Sequence, residues 1–400
     1  MRICDVSQFY SSFSGGVRRY ISARQKFIDQ GGTHEHVLII PGARTERLRA
    51  GRSTIYTIKS PRVDRTSGYR ALLNLSLLVK IIRSEMPDIV ESGDPYQLSW
   101  AVTQWSAKWN LATVGFYHSH FPEAYLAQVS KYGGRNVHSF LQRKARTYIK
   151  TLYSRFDRTL VPCPQLECEL RRIGLSNTVT VKLGVDPELF HPAPRDEQFR
   201  AELNLSSKPC LLLSVGRLAR EKNVMTLLEA FEILDQETPG RFHLHIVGDG
   251  PLRPRVLEMA RKNGNLSWCR YYQDPAELAR AYRAADLLVH PGVLETFGLV
   301  TVEAQACGLP VVGIQGTYMD RLAFSGLEHW AKENTPAALS EAIRAMVNKP
   351  LREIGQKASE AVLQEYTWRQ VFTELFSIYE AVITEKTGSV RACKQAAGER

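Results

Sequence analysis

Four hundred residues, 44% hydrophobic and 23% charged, have the composition of a soluble globular protein and are too many for one ordinary core, so two domains are expected. No apolar run approaches the roughly 18 residues a membrane-crossing helix needs. Nothing near Met1 resembles a signal peptide, and seven cysteines standing singly, without a Cys-x-x-Cys pair, argue for a reduced cytoplasmic setting without structural zinc. The net charge of +11 leaves nucleic acid and anionic lipid open as partners.

The chain opens with a short apolar strand at 3–6 and a polar loop at 7–14. Gly15-Gly16-Val17 then starts a helix reaching about Asp29. Paired glycines at such a turn let backbone N–H groups approach a ligand that a Cβ would obstruct, although a glycine there also serves packing alone. Further strands are legible at 36–40, 54–58, 88–91 and 113–117, with helical patterns at 69–83 and 95–110. Short apolar strands alternating with helices indicate a doubly wound parallel sheet, whose ligands gather beyond the carboxyl ends of its strands. That rule makes one rim of the loop at 7–16, of Ser92-Gly93-Asp94 and of His118-Ser119-His120.

Two histidines two positions apart on an extended strand face the same side, as metal ligands would, but no cysteine or carboxylate cluster is near them in sequence. A histidine hydrogen-bonded at a strand end is the simpler structural reading. From 131 to 158, Arg135, Arg143, Lys144, Arg146, Lys150, Arg155 and Arg158 interleave with Phe140, Leu141, Tyr148, Ile149, Leu152 and Tyr153. Such a helix suits an anionic membrane surface, or simply turns its apolar side to the core. Arg44, Arg47, Arg49 and Arg52 add a second basic segment. No basic repeat, zinc finger or RNA-binding aromatic motif accompanies the charge, so nucleic acid is not expected. Prolines at 187, 192 and 194, followed by a charged stretch, place a domain boundary near 188, so that the domains are 1–188 and 189–367.

The second half begins with an apolar strand from Cys210 to Gly216, followed by Arg217 and Lys222 in the loop before a helix at 224–235. An arginine fork and a lysine point charge at a strand's carboxyl end can hold a diphosphate, or can be plain surface charge. Gly248-Asp249-Gly250 ends the next strand. It is not a dinucleotide fingerprint, because Arg253 stands where the third glycine belongs. Asp274-Pro275 starts another helix. The stretch from His290 to Pro310 then reads as strand, loop, helix and strand, with Glu295 in the loop and Glu303 in the second helical turn. Its helix start, about Phe297-Gly298-Leu299, offers free N–H groups and the positive end of a dipole to an anion. The two carboxylates would hold hydroxyls, not phosphate.

Glu295-Thr-Phe-Gly-Leu followed by Glu303-Ala-x-Ala-x-Gly-Leu-Pro-Val-Val resembles the donor-site signature of retaining glycosyltransferases of family 4, which have the GT-B fold: two Rossmann-like domains and a last helix that returns to the first. The resemblance spans residues 1 to about 385 and also rests on Gly216-Arg217-Leu-x-x-x-Lys222. It implies transfer of a hexose from a UDP- or GDP-linked donor to a lipid-linked or glycan acceptor at the cytoplasmic membrane face, without a cofactor. It gives Arg217 and Lys222 to the leaving diphosphate, Glu303 to the ribose, Glu295 to the donor sugar, and Gly15, Gly16, Gly216, Gly250, Asp274, Phe297, Gly298 and Leu299 to donor binding. His118 is placed at the donor sugar, with His120 as the fallback, and Asp94 with His120 on the acceptor side. The chain has no Asp-x-Asp, so no metal is expected on the diphosphate. The last helix should run from 368 to about 385, with a disordered tail at 386–400. A nucleotide-sugar 2-epimerase of the same fold, or a non-catalytic nucleotide-sugar binder, is the alternative.

Overall fold

The computed structural model describes residues 1–8, 10, 15–63, 69–118, 137, 139–205 and 209–398, with the side chains of 389–398 left aside. The chain divides into two compact units, one of Met1–Leu183 with the segment from Trp368, the other of Gly184–Thr367. The division falls a few residues before the proline-rich segment, because Val185 already pairs with Thr367 in a parallel bridge, its N–H donating to Tyr366 O at 2.7 Å.

The first unit holds an eight-stranded sheet. Its strands are β1 (Arg2–Val6), β2 (Glu35–Gly42), β3 (Glu46–Ala50), β4 (Ser53–Lys59), β5 (Ile89–Ser92), β6 (Ala112–Phe116), β7 (Arg158–Val161) and β8 (Thr178–Thr180). They lie in the order β3-β4-β2-β1-β5-β6-β7-β8, all parallel except the edge strand β3, which pairs antiparallel with β4. The basic segment around Arg47 and Arg49 is β3 itself, exposed along its whole length. Charge on an edge strand discourages further strand pairing. The helices are α1 (Gly16–Gly31), α2 (Leu75–Glu85), α3 (Gln97–Trp109), α4 (139–153), α5 (Pro164–Arg172) and later α13 (Trp368–Gly398). The helix expected from 69 starts only at Leu75. Arg62 and Arg70 form a bridge instead, and Asn74 caps the helix by accepting from Leu77 N at 3.0 Å.

The second unit holds a parallel five-stranded sheet in the order β11-β10-β9-β12-β13. Its strands are β9 (Cys210–Val215), β10 (Phe242–Val247), β11 (Leu266–Cys269), β12 (Leu287–Val289) and β13 (Val311–Val312). Helices α6 (Glu197–Glu202), α7 (Val224–Glu237), α8 (Arg253–Lys262), α9 (Pro275–Ala284), α10 (Leu299–Ala306), α11 (Pro336–Val347) and α12 (Leu351–Glu365) complete it. Leu212, Leu244, Ile246, Leu287, Val289 and Val312 from the strands pack with Phe231 and Leu234 of α7 and Ile343 and Met346 of α11. Strands buried on both faces read as continuous apolar runs, which is why they were legible.

Helix α13 packs on α1 and β6 of the first unit through Trp368, Phe372 and Phe376, with Phe372 5.8 Å from the Tyr20 ring and 5.6 Å from that of Phe27. The polar stretch from Lys386, expected to be disordered, instead continues this helix to Gly398. An anchored helix adds further residues without a new nucleation cost. It is also tied down where it leaves the apolar face, by Lys386 to Asp157 at 2.6 Å and Arg158 to Glu385 at 2.8 Å.

A charged network lies under the sheet's carboxyl edge. Arg24 of α1, fully buried, meets Asp5 of β1 in an ion pair and Glu91 of β5 at 3.2 Å, and donates to Tyr379 OH of α13 at 2.8 Å. Tyr20 and Tyr379 both donate to Glu91, and His36 lies 2.7 Å from Asp5. Burial pushes Glu91 above the usual carboxylate range against the pull of Arg24, whereas for Asp5 the attraction of Arg24 and His36 outweighs burial and holds it low.

Candidate active site

In the second unit the site is built where β9 and β12 end. After Gly216, Arg217 leads into a short 3-10 turn, Arg220–Lys222. Arg217 pairs with Glu221 four residues on and keeps more than half its side chain in solvent. Lys222 reaches Glu295, with which it forms an ion pair. Asn223, in left-handed backbone at φ 57, donates to Pro291 O at 3.0 Å and so pins this loop to the turn after β12. Burial pushes the Glu295 carboxyl up, but Lys222, His290 and Arg217 outweigh it and leave it ionised below the usual range.

Gly298 caps α10 at φ 80, a conformation that favours glycine. A Cβ there would also lie 2.1 Å from Met319 Cε. Thr301 turns back on Gly298, its N–H at 3.0 Å and its hydroxyl at 2.7 Å from the carbonyl. Leu299 and Val300 are left as helix-start donors without intrahelical acceptors. Phe297 is buried under Arg321, whose guanidinium lies 5.2 Å from the ring centroid and donates to Thr296 O at 3.3 Å. Glu303 is 2% exposed and accepts from Tyr282 OH of α9 at 3.1 Å, a partner that fixes its direction.

Other expected donor residues are held by the protein itself. A Cβ on Gly250 would come within 2.5 Å of Leu218 O, and its N–H is taken by the Asp249 carboxylate at 2.9 Å. A Cβ on Gly248 would lie 1.9 Å from Gly216 O, so these glycines allow two strand-end loops to touch. Asp274 caps α9 through Ala276 N at 2.9 Å. Among the described residues, nothing lies within 4 Å of where a Cβ on Gly216 would point.

In the first unit, α1 starts at Gly16 without a side-chain cap, and among the described residues nothing lies within 4 Å of a Cβ on Gly15. The His118 ring stacks on Phe116 at 3.9 Å and meets Tyr20 edge-on at 5.7 Å. It lies so close to Gly93 that a Cβ there would stand 2.8 Å from Nε2. Burial first, then the charge of Arg24, brings this imidazole down to about 3, so it is neutral at physiological pH. His120, Arg135 and the loop at 11–14 lie outside the described residues.

Asp94 is 1% exposed and accepts from Gln8 N at 3.1 Å and Tyr96 N at 3.3 Å, so it joins two of the rim loops. Burial raises it from 3.8 to about 7. The folded chain therefore keeps this proton through a window in which the unfolded chain has lost it, and stability falls as pH rises across that window. Asp94→Asn is expected to gain stability relative to wild type from pH 5 to pH 7, by a difference on the order of 2 kcal/mol. Urea denaturation at both pH values checks this, and a difference that stays flat or reverses contradicts the buried proton.

The glycosyl transferases group 1 family matches residues 195–362, and Glycosyltransferase Family 4 matches residues 14–189. A GDP-mannose-dependent alpha-(1-6)-phosphatidylinositol dimannoside mannosyltransferase of Mycobacterium tuberculosis is 30% identical over 96% of this chain and 97% of its own. This chain is a family 4 glycosyltransferase. A GDP-mannose-dependent alpha-mannosyltransferase of Corynebacterium glutamicum is 27% identical over 96% of the glycosyltransferase and 89% of the relative. Sucrose-phosphate synthase from Thermosynechococcus elongatus superposes with a TM-score of 0.76 at 20% identity, covering 96% of this chain and 99% of that one. An Anabaena protein solved with UDP and glucose gives 0.71 at 15% identity, covering 95% and 100%. The fold is GT-B and the enzyme a hexosyltransferase. Tyr282, Asn223 and Arg321 escaped the sequence reading. Tyr282 falls on an ordinary amphipathic helix, and Arg321 lies beyond the quoted motif, which ends at Val312.

Proposed function

We propose that this glycosyltransferase moves mannose from GDP-mannose to a lipid-linked acceptor with retention at the anomeric carbon. The supporting observation is the pairing of Lys222 with Glu295 beside Arg217 and the α10 start, a group of cations and free donors suited to a departing diphosphate. In this reading Arg217, Lys222 and the helix N–H groups take up charge as the diphosphate leaves. Glu295 accepts from the sugar's hydroxyls, Glu303 from the ribose, and neutral His118 contacts the sugar. Attack then comes from the face the diphosphate leaves, as the family resemblance implies. The choice of GDP-mannose rests on the names of the two relatives.

Helix α4 supports an anionic lipid partner. Arg143, Arg146 and Lys150 line a groove of about 590 Å³ with Thr147, Thr151 and Ser154, and none of the three cations has a carboxylate partner among the described residues. Phe140, half exposed, stands one turn before Arg143. The test offers GDP-mannose, UDP-glucose and ADP-glucose with phosphatidylinositol vesicles and follows sugar transfer and product anomer by NMR. Mannosyl transfer with an α-product is expected. Turnover of donor alone to a 2-epimer would instead establish an epimerase, and vesicles that fail to recover the protein on flotation would remove the lipid reading.

A further inference from the structure

His290 closes β12. Its backbone N–H donates to Val312 O at 2.8 Å, which anchors the root of the side chain in the sheet. The residue is 7% exposed, and its Nε2 is buried without a hydrogen-bond partner among the described residues. Burying a polar atom unpaired costs about 1–3 kcal/mol, so a leucine at this position would pack without that penalty. Retained groups of this kind call for a functional account.

The turn that follows brings the ring to the ion pair. A Cβ placed on Gly292 would lie 3.2 Å from Nε2 of His290 and 3.5 Å from Cγ of Glu295. Nε2 and the Glu295 side chain thus converge on the space over Gly292, which a glycine leaves open. Burial, together with the charge of Lys222, brings the imidazole down to about 4 although Glu295 pulls it the other way, so it stays neutral at physiological pH. A neutral ring protonated at Nε2 is a hydrogen-bond donor that carries no charge toward a diphosphate.

In this structure Glu295 is held by Lys222, and its side chain is about four-fifths buried. A diphosphate that draws Lys222 away removes that partner from a largely buried carboxylate, which must then find another.

We propose that His290 is a positioning residue of the donor site: as Lys222 turns to the diphosphate, Nε2–H of His290 takes over Glu295 and holds its carboxylate toward the donor sugar. The ion pair is then the resting half of an exchange of partners. This inference rests on the donor-site reading above. It adds a requirement that the reading alone lacks, a neutral donor at 290 and a glycine at 292.

The test combines spectroscopy with two variants. ¹⁵N-imidazole spectra of the wild-type protein are recorded with and without saturating GDP, whose binding is measured separately by calorimetry. The His290 Nε2 resonance is expected to move on GDP addition to the position of a nitrogen donating to a carboxylate. His290→Phe keeps the ring volume and removes the donor, whereas His290→Gln restores an amide N–H near the same place. His290→Phe is expected to lower kcat about tenfold with the donor KM changed less than about threefold, and His290→Gln to recover most of that loss. GDP binding with an unmoved Nε2 resonance overturns the exchange, as do equal rates in both variants. Absence of GDP binding overturns the donor-site reading itself. Should His290→Phe fail to fold, the wild-type spectra alone decide.

Discussion

Arg24→Met is expected to lower the stability of the first unit by about 3–5 kcal/mol, the usual cost of leaving buried carboxylates without their cation. The guanidinium is fully buried and serves four partners on three elements besides its own helix: Asp5, Glu91, Tyr20 and Tyr379. Methionine replaces only the apolar stem of the side chain and leaves both acids without their cation. Without the cation, burial raises both acids in the folded variant, so they take up protons as pH falls from neutral and the deficit should shrink between pH 7.5 and pH 5. Urea denaturation at pH 7.5 and pH 5, with Arg217→Ala as the exposed control, provides the comparison. A loss under about 1 kcal/mol would mean that the network is satisfied without its cation.

The second large effect concerns rate and not stability. Arg217→Ala, Lys222→Ala and Glu295→Ala should each lower kcat on the order of a hundredfold, the scale of one lost transition-state contact. Arg217 is more than half exposed and among the described residues is bound only to its neighbour Glu221, so its removal should leave the denaturation midpoint almost unchanged. Lys222 and Glu295 share one ion pair, so the double variant should lose less than the product of the two single losses. Steady-state kinetics with GDP-mannose measures all four enzymes. A near-normal rate in the Arg217 or Glu295 variant would falsify the assignment.

The fold was largely legible because its strands are buried apolar runs separated by glycine and proline, as in 210–216 and 287–292. What the sequence concealed is tertiary. Arg24 and Glu91 look like ordinary charges on a helix and at a strand end until Tyr379, hundreds of residues later, is packed between them. The start of α2 was misplaced because Tyr69 to Leu73 have helical spacing while their backbone is used in a bridge at Arg62 and Arg70. At the site, the pattern containing Glu295, Gly298 and Glu303 marks the loop and helix, since local spacing is all such a motif needs. It says nothing of Tyr282, Arg321 or the orientation of His290, which are set by the elements packed around them.

The tie between Arg24 and Tyr379 also has a consequence for synthesis. Its two ends are 355 residues apart, with the entire second unit between them. At roughly 5–20 residues per second, the ribosome delivers Tyr379 on the order of tens of seconds after Arg24. During that interval the nascent first sheet carries two acids and a cation whose closing tyrosine has not been made. The second unit, whose sequence is continuous, has everything it needs as soon as Thr367 emerges. The half that begins the chain is therefore the half that finishes folding last.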